Sequence, residues 1–455
     1  MNEIEEMLSR FQAVTADPAI IYRGATTSYG DLLELVCRFE GQLGLAGCEN
    51  SVVALSADYS PSSIALLLAL WRLGNIVALM TNRVESQERS LTELCQAQWI
   101  ARVDSMGSAH WSRRDGSVTD PLLIRLRDAG MPGLVIFSSG STGTPKASVH
   151  RALPLLGRHR KRKRCLTTIA FLLFDHIGGL NTLFYVLFNG GRLVIPRSRA
   201  PHHVAEAIAA QGVQAMTTSP TFLNLLILSD AARSYDLGSL EIINYGTEPM
   251  PDSTLAALHR LLPRARLCQA YGLTETGIVP ARSESSDSGW VVLGDETCAV
   301  RVVDGMLEIK SPTTMMGYLN AASPFTADGY FRTGDVVVQK GPYVRILGRK
   351  SDVINIGGEK VYPAEIENVL RDLPNVADVV VSHERHAIAG QIVKATFSIV
   401  QMEALSSFKR RLHEFCRDRL AVFQIPRKVV LTQAALHSER FKKVRWEGEG
   451  LKNEI

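Results

Sequence analysis

Between residues 18 and 80 short β-rich runs alternate with helical ones, and this alternation constrains the fold more tightly than any other feature of the chain. Ala19-Ile20-Ile21-Tyr22 and Thr27-Ser28-Tyr29 read as a hairpin, Asp31 as the cap of a helix running to about Leu45, and Val52-Val53-Ala54-Leu55 as a buried strand. Pro61 suits the first turn of the next helix, where an N–H would have no intrahelical partner anyway. A strand, a helix and another strand in succession require a crossover, so the expected fold is α/β with a largely parallel sheet covered by helices on both faces. The rhythm resumes after residue 150, with a helix near Ala152, a strand over 191–195, a helix from about Val204, a strand over 215–218 and a helix after Pro220.

From about Trp290 the texture changes to short strands with turn signals, at 299–303, 306–310 and 343–347, which reads as a small, barrel-like β region attached to the first sheet. Polarity rises at Gly348-Arg349-Lys350-Ser351-Asp352, and a new α+β pattern follows, with helices over 364–370 and 405–420 and strands over 376–382 and 393–400. The expected domains are therefore 1–349, with 290–347 mainly β, and a C-terminal domain of 350–455, about 100 residues and a usual domain size.

Bulk properties exclude several classes. With 46% hydrophobic residues and a net charge of +4, the chain has an ordinary globular core and too little basicity to argue for nucleic acid. Its one dense basic cluster, residues 158–164, reads as an exposed loop, with phosphates or an acidic protein as the functional alternative. Seven cysteines without a C-x-x-C pair favour free thiols in a reducing compartment. The N-terminus MNEIEEMLSRF begins an acidic amphipathic helix and lacks the basic and apolar regions of a secretory signal. The most apolar stretch, 64–80, is broken by Arg72, Gly74 and Asn75, so it reads as a buried helix entering a strand, with no transmembrane segment, and the cytoplasm is the expected location.

The chemistry concentrates in five islands. The first is FSSGSTGTPKASV, residues 137–149, where an apolar strand delivers a polar loop rich in backbone N–H groups and hydroxyls with one cation, an inventory that suits a polyphosphate. Its spacing from Gly140 is G-x-x-G-x-x-K with Ala147 after Lys146, unlike the P-loop of NTPases, and alone it could be a solvated linker. Gln269-Ala270-Tyr271-Gly272-Leu273-Thr274-Glu275 puts an aromatic, a hydroxyl and a carboxylate on one turn after a strand; one carboxylate shared with phosphates is a usual Mg²⁺ arrangement, and a helix N-cap is the plain alternative. Tyr330-Phe331-Arg332-Thr333-Gly334-Asp335 sets an acid after a tight turn, where its oxygens could accept both hydroxyls of a ribose, although most such turns are only turns. DVINIGGEKVYPAEIE, residues 352–367, carries paired glycines before a Pro-started helix, and residues 438–445 put cations on a tail that alone would read as a solvated face.

In this order and at these separations the islands resemble the adenylate-forming superfamily, which includes acyl- and aryl-CoA synthetases, peptide-synthetase adenylation domains and luciferase, and the resemblance runs from about Tyr29 to Arg445. It implies a large N-terminal domain of stacked sheets and a small mobile C-terminal domain, ATP with Mg²⁺, and two half-reactions: a carboxylic acid becomes acyl-AMP with release of pyrophosphate, then passes to the phosphopantetheine thiol of CoA or of a separate acyl carrier protein. By motif position the resemblance implies that Ser139, Gly140, Ser141, Thr142, Gly143 and Lys146 wrap the β- and γ-phosphates, and that Gly246, Thr247 and Glu248 lie on the adenine side, where the family often has Gly-Gly-Glu. Tyr271 and Gly272 would flank adenine and the acyl group, Thr274 would meet the α-phosphate, Glu275 would hold Mg²⁺, and Asp335 and Arg349 would hold the ribose. His176 would lie beside the carboxylate and Gly358 on the pantetheine tunnel.

Three departures accompany the match. Phe441 stands where a Gly usually precedes the catalytic lysine; Lys442 has the right spacing to Arg445 and is preferred, while Lys443 has the usual apolar neighbour, Val444. The hinge position falls on Ser351 or Asp352, and the chain is short before the phosphate loop. Phe174-Asp175 resembles the amino-group motif of peptide synthetases, but His176-Ile177-Gly178-Gly179 fits the Phe-His-x-x-Gly pattern of acyl- and aryl-CoA synthetases with one residue inserted, which favours a fatty or aromatic acid over an amino acid. A non-catalytic nucleotide-binding homologue is the alternative of another class, and intact Lys146, Glu275, Asp335 and Arg349 stand against it.

Overall fold

A computed structural model describes residues 1–81, 84–104, 106–138, 145–356, 359–386, 390–438 and 443. Two seven-stranded sheets dominate the N-terminal part. One runs in the order Arg266–Gln269, Ile242–Tyr245, Ala215–Thr218, Thr167–Ile169, Arg192–Ile195 and Pro18–Tyr22, all parallel, and ends in the antiparallel Ala25–Ser28. The second centres on parallel Gly133–Ser138, Ile76–Met80, Val52–Ser56 and Trp99–Val103, with antiparallel Lys146–Arg151 then Gly317–Tyr318 on one side and Ala109–Arg113 on the other.

Helices Tyr29–Leu45, Pro61–Arg72 and Ile177–Phe188 lie between the sheets, and one apolar cluster joins Leu67, Trp71 and Phe184 from the helices to Ile20, Leu55 and Leu79 from the strands. Pro61–Arg72 is buried over residues 63–71 without a break, as a helix enclosed on all sides requires. Pro61 opens it as expected, but the helix at 29–45 is capped by Ser28, whose hydroxyl accepts from Asp31 N while the Asp31 carboxylate accepts from Ser28 N. Asp31 is thus the third residue of a capping box and not the cap itself.

The expected β region is a six-stranded antiparallel sheet in the order Ala281–Ser283, Val291–Leu293, Tyr343–Arg349, Phe331–Lys340, Met306–Lys310 and Ala299–Val303. Beyond a one-turn 3₁₀ helix, Lys350–Asp352, the chain forms a smaller unit: Val376–His386, Gly390–Ile399 and Lys428–Thr432 make one sheet, packed by helices Pro363–Leu370 and Leu405–Cys416 around Phe397, Phe408 and Leu370. Among the described residues, Asn224 Nδ2 donates to Ala377 O at 3.2 Å, Asp252 N to Asn368 Oδ1 at 2.8 Å and Asn368 Nδ2 to Asp252 Oδ2 at 3.1 Å, and these contacts dock it on the larger part.

The basic cluster is exposed over residues 160–164, as expected of a loop, and turns inward only at its first two residues. His159 is buried and Arg158 turns inward, while Arg160 pairs with Glu6 at 2.6 Å and Arg164 with Glu241 at 2.6 Å. Glu241 precedes strand Ile242–Tyr245, at the end opposite Gly246 and Glu248, so Arg164 lies at the far end of that strand. All seven cysteines are free, and no helix of the described residues is long and apolar enough to cross a membrane.

Candidate active site

The phosphate-type loop leaves strand Gly133–Ser138 and returns through strand Lys146–Arg151, with Ser138 and Lys146 directly opposite each other. Ser139, Gly140, Ser141, Thr142 and Gly143 lie outside the described residues, as do Gly358 and Lys442. The return strand is clamped by Asn320, which accepts from Ala147 N at 3.0 Å and donates to Pro145 O at 2.8 Å. That clamp belongs to the segment containing Gly317–Tyr318, which pairs with Val149 and Ser148. Lys146 Nζ consequently sits 5.4 Å from the centroid of the Tyr318 ring, and Tyr318 donates its hydroxyl to Glu275 Oε1 at 2.7 Å. Burial and the Glu275 charge both push the Tyr318 phenol upward, so it remains a donor.

Thr274 and Glu275 occupy the tip of a hairpin formed by Tyr271–Leu273 and Gly277–Val279, and not a helix N-cap. Leu273 pairs with Gly277 across a three-residue loop, and Gly277, at φ 71°, takes the left-handed position that such loops need. Thr276 and Thr313 lock the tip: Leu273 N donates to Thr276 Oγ1, and Thr313 Oγ1 donates to Thr276 O at 2.7 Å. Gly272 has no room for a side chain, because a Cβ there would lie 2.6 Å from Gly277 O. Gly246 is held equally close to this hairpin, since its Cβ would meet Ala270 O at 2.5 Å. Thr247 has φ 73°, a conformation that explains the preference for glycine at the corresponding family position.

Asp335 does not follow a tight turn. It lies inside the ten-residue strand Phe331–Lys340, kinked by Gly334 at φ 73°, and stands directly across from Arg349 on Tyr343–Arg349. That register brings Arg349 Nε within 3.3 Å of Asp335 Oδ1, while Tyr271 donates to Asp335 Oδ2 at 2.5 Å. Burial raises the Asp335 carboxyl above its ordinary value, and Arg349 and the Tyr271 hydroxyl oppose that shift. The charge of Glu275 reaches both Asp335 and Arg349, so the structure assembles Lys146, Tyr318, Glu275, Arg349, Asp335 and Tyr271 around one place.

His176 caps helix Ile177–Phe188: its Nδ1 accepts from Gly178 N at 3.0 Å, which leaves the proton of a neutral ring on Nε2. Gly179 permits the turn, since a Cβ would come within 2.2 Å of Leu173 O. Asp175 faces elsewhere, buried with Oδ2 accepting from Thr81 N at 3.3 Å. Glu248 is also set apart from the cluster, with Oε2 accepting from Thr221 Oγ1 at 2.7 Å and its carboxyl pushed upward by burial. Lys443 packs within the smaller unit, its Nζ 2.7 Å from Glu367 Oε2 and 2.9 Å from Val379 O.

Glu275 also tests the fit of Mg²⁺. A single carboxylate, one oxygen of which takes no hydrogen bond among the described residues, suits an ion whose other ligands are phosphates and water, and these residues hold no cluster of three or more metal-ligating side chains. Tyr318 and Asn320 went unread in the sequence, although Met316-Gly317-Tyr318-Leu319-Asn320 was a legible turn; nothing local ties it to a loop some 170 residues earlier.

Residues 10–331 match the family model described as AMP-binding enzyme, and residues 365–443 match the AMP-binding enzyme C-terminal domain. The indoleacetate–CoA ligase of Aromatoleum aromaticum is 27% identical, over 97% of this chain and 98% of its own. A 2-succinylbenzoate–CoA ligase of Bacillus licheniformis is 31% identical over 68% of this chain and 67% of its own. Among solved structures, the anthranilate CoA ligase AuaEII in complex with anthranoyl-AMP superposes with a TM-score of 0.83 over 97% of this chain and 95% of its own, at 16% identity, a likeness of fold.

Proposed function

The chain belongs to the AMP-binding enzyme family and is an AMP-forming acid–thiol ligase, and we propose that it activates an aromatic carboxylic acid through acyl-AMP to the CoA thioester. The observation that carries this reading is the convergence of Lys146, Glu275, Asp335 and Arg349, which are spread over some 200 residues of sequence, on one site. The engagement of Asp175 with Thr81 N supports a non-amino acid, because that carboxylate is committed to the backbone of a neighbouring strand end.

In the first half-reaction a carboxylate oxygen of the acid attacks the α-phosphorus and pyrophosphate leaves. Little covalent work falls to the protein, so rate comes from positioning and from cations placed where charge develops. Residues 139–143 and Lys146 hold the β- and γ-phosphates, Thr274 meets the α-phosphate, and Glu275 holds Mg²⁺, which offsets phosphate charge when bound. Asp335 and Arg349 orient the ribose, Tyr271, Gly272 and the 246–248 segment bound the adenine, and His176 Nε2–H faces the acid. Lys442 supplies the catalytic ammonium, a reading supported by the commitment of Lys443 to Glu367 and Val379 O. In the second half-reaction the CoA thiol attacks the acyl carbon past Gly358 and AMP leaves, after the 350–455 domain has turned about residues 351–352.

ATP–pyrophosphate exchange over a panel of aromatic, fatty and amino acids tests this, followed by CoA and carrier proteins as acceptors. Exchange with aromatic acids and thioester formation on free CoA are expected. No exchange with any acid overturns the reading, and exchange with amino acids alone overturns the substrate assignment.

A further inference from the structure

The segment over 315–320 holds Glu275 by its main chain and by its side chain. Met315 N donates to Glu275 O at 2.7 Å, and Tyr318 donates its hydroxyl to Glu275 Oε1 at 2.7 Å. The segment is itself fastened along strand Lys146–Arg151: Met316 N donates to Val149 O at 2.7 Å, Leu319 N donates to Ala147 O at 2.9 Å, and Gly317 and Tyr318 pair with Val149 and Ser148. Asn320 completes the attachment through Ala147 N and Pro145 O. The phenol therefore starts from a fixed backbone, and a carboxylate hydrogen-bonded to such a partner keeps one orientation toward any ion it meets.

This contact distinguishes the two oxygens of Glu275. Oε1 is engaged by the phenol, whereas Oε2 accepts no hydrogen bond among the described residues, so one oxygen is offered to a cation. The other acid of the site, Asp335, is committed to Tyr271 and Arg349. Mg²⁺ is small, demands near-ideal octahedral geometry and keeps several waters, whereas Ca²⁺ takes more oxygens in looser geometry and readily accepts a carboxylate through both of its oxygens. A carboxylate restricted to one oxygen suits the first ion, and one free to present both suits the second.

We propose that the Tyr318 hydroxyl determines metal specificity: by occupying Oε1 it confines Glu275 to one donor oxygen and sets the site for Mg²⁺ against Ca²⁺. This rests on the proposed function through one of its assignments, Glu275 as the ligand of the ion. The ring of the same residue has its centroid 5.4 Å from Lys146 Nζ, so Tyr318→Phe removes the hydroxyl and leaves in place the face on which Lys146 packs.

The test is ATP binding by titration calorimetry with Mg²⁺, with Ca²⁺ and with EDTA, in wild type, Tyr318→Phe and Glu275→Gln, alongside pyrophosphate exchange in Mg²⁺ with Ca²⁺ as competitor. The wild type is expected to bind ATP more tightly with Mg²⁺ than with Ca²⁺. Tyr318→Phe is expected to reduce that preference about 10-fold, the lower end of what one hydrogen bond to a charged group covers, with metal-free ATP binding close to wild type. Ca²⁺ should then inhibit exchange at a correspondingly lower concentration. No preference in the wild type, an unchanged preference in Tyr318→Phe, or equal weakening with both metals and with EDTA overturns the assignment and leaves the ligase reading intact. Metal dependence in Glu275→Gln equal to that of wild type removes Glu275 as the ligand, and the proposal with it. No exchange by the wild type with any acid, while the calorimetric preference shifts as expected, overturns the ligase reading and leaves the metal assignment standing.

Discussion

Replacing Lys443 by Met separates a structural lysine from a catalytic one. The Lys443 and Glu367 side chains are 10% and 6% exposed, and their 2.7 Å pair is completed by Val379 O at 2.9 Å and by Asp378 at 4.0 Å. Removing one partner of a buried pair costs about 3–5 kcal/mol, because the other charge is stranded. Glu367 would keep Val381 N, which donates to its Oε1 at 2.9 Å, so the lower end, about 3 kcal/mol, is expected. In urea that lowers the midpoint of the C-terminal unfolding by about 1–3 M, and the double variant Lys443→Met/Glu367→Met should recover most of it. Pyrophosphate exchange per folded molecule should stay within a few-fold of wild type in Lys443→Met, whereas Lys442→Ala should lose about 10²–10³-fold. Loss of exchange in Lys443→Met with an unchanged urea midpoint would place the ammonium at the chemistry and refute the assignment.

Other outcomes can be checked with the same preparations. Asp335→Ala strands Arg349 and Tyr271 and should lower kcat/KM for ATP about 10²–10³-fold in the exchange assay; an unchanged value would remove Asp335 from nucleotide binding. His150 is fully buried and its pKa is pushed down to about 4, so the unfolded chain takes up a proton first as pH falls below about 6.5. Stability contributed by the neutral ring is therefore present above pH 6.5 and lost toward pH 4; the wild type should lose about 2 kcal/mol between pH 7 and pH 5 that His150→Gln does not, read from urea midpoints. Thr247→Gly should stabilise by about 1 kcal/mol by relieving the φ of 73°, and destabilisation would mean that contacts of the threonine outweigh the strain.

The chemistry explains why so few of these residues touch one another along the chain. A leaving pyrophosphate needs cations and N–H donors at one end, and a ribose needs a carboxylate at the other. On the proposed reading, the first comes from the end of one sheet, where Lys146 returns beside Ser138, and the second from a cross-strand pair in the β sheet, Asp335 opposite Arg349. Tyr271 and Tyr318 join the two, each donating its hydroxyl to one of the acids.

What the chain could state by itself were properties carried within a few residues or repeated at a period. Pro61 opened its helix, the runs at 52–55 and 215–218 became parallel strands, and the island order matched the family, because these signals depend on local φ preferences and apolar spacing. Tertiary structure decided whatever depended on register or burial. Whether Asp335 sat on a turn or in a strand, and which residue faced it, followed from the pairing of two long strands. Asp31 yielded the cap to Ser28 because a capping box exchanges two hydrogen bonds where one residue offers one. That Lys443 is enclosed by Glu367 and Val379 could not be read from the adjacent letters Lys442 and Lys443, since a buried ammonium finds its partners only within the fold, and the proposed choice of Lys442 draws on that enclosure. The inward turn of Arg158, first of a run of cations that otherwise meets acids and solvent, has the same origin: the helix end at residue 157 aims it at Ile278 and a cavity that no local pattern announces.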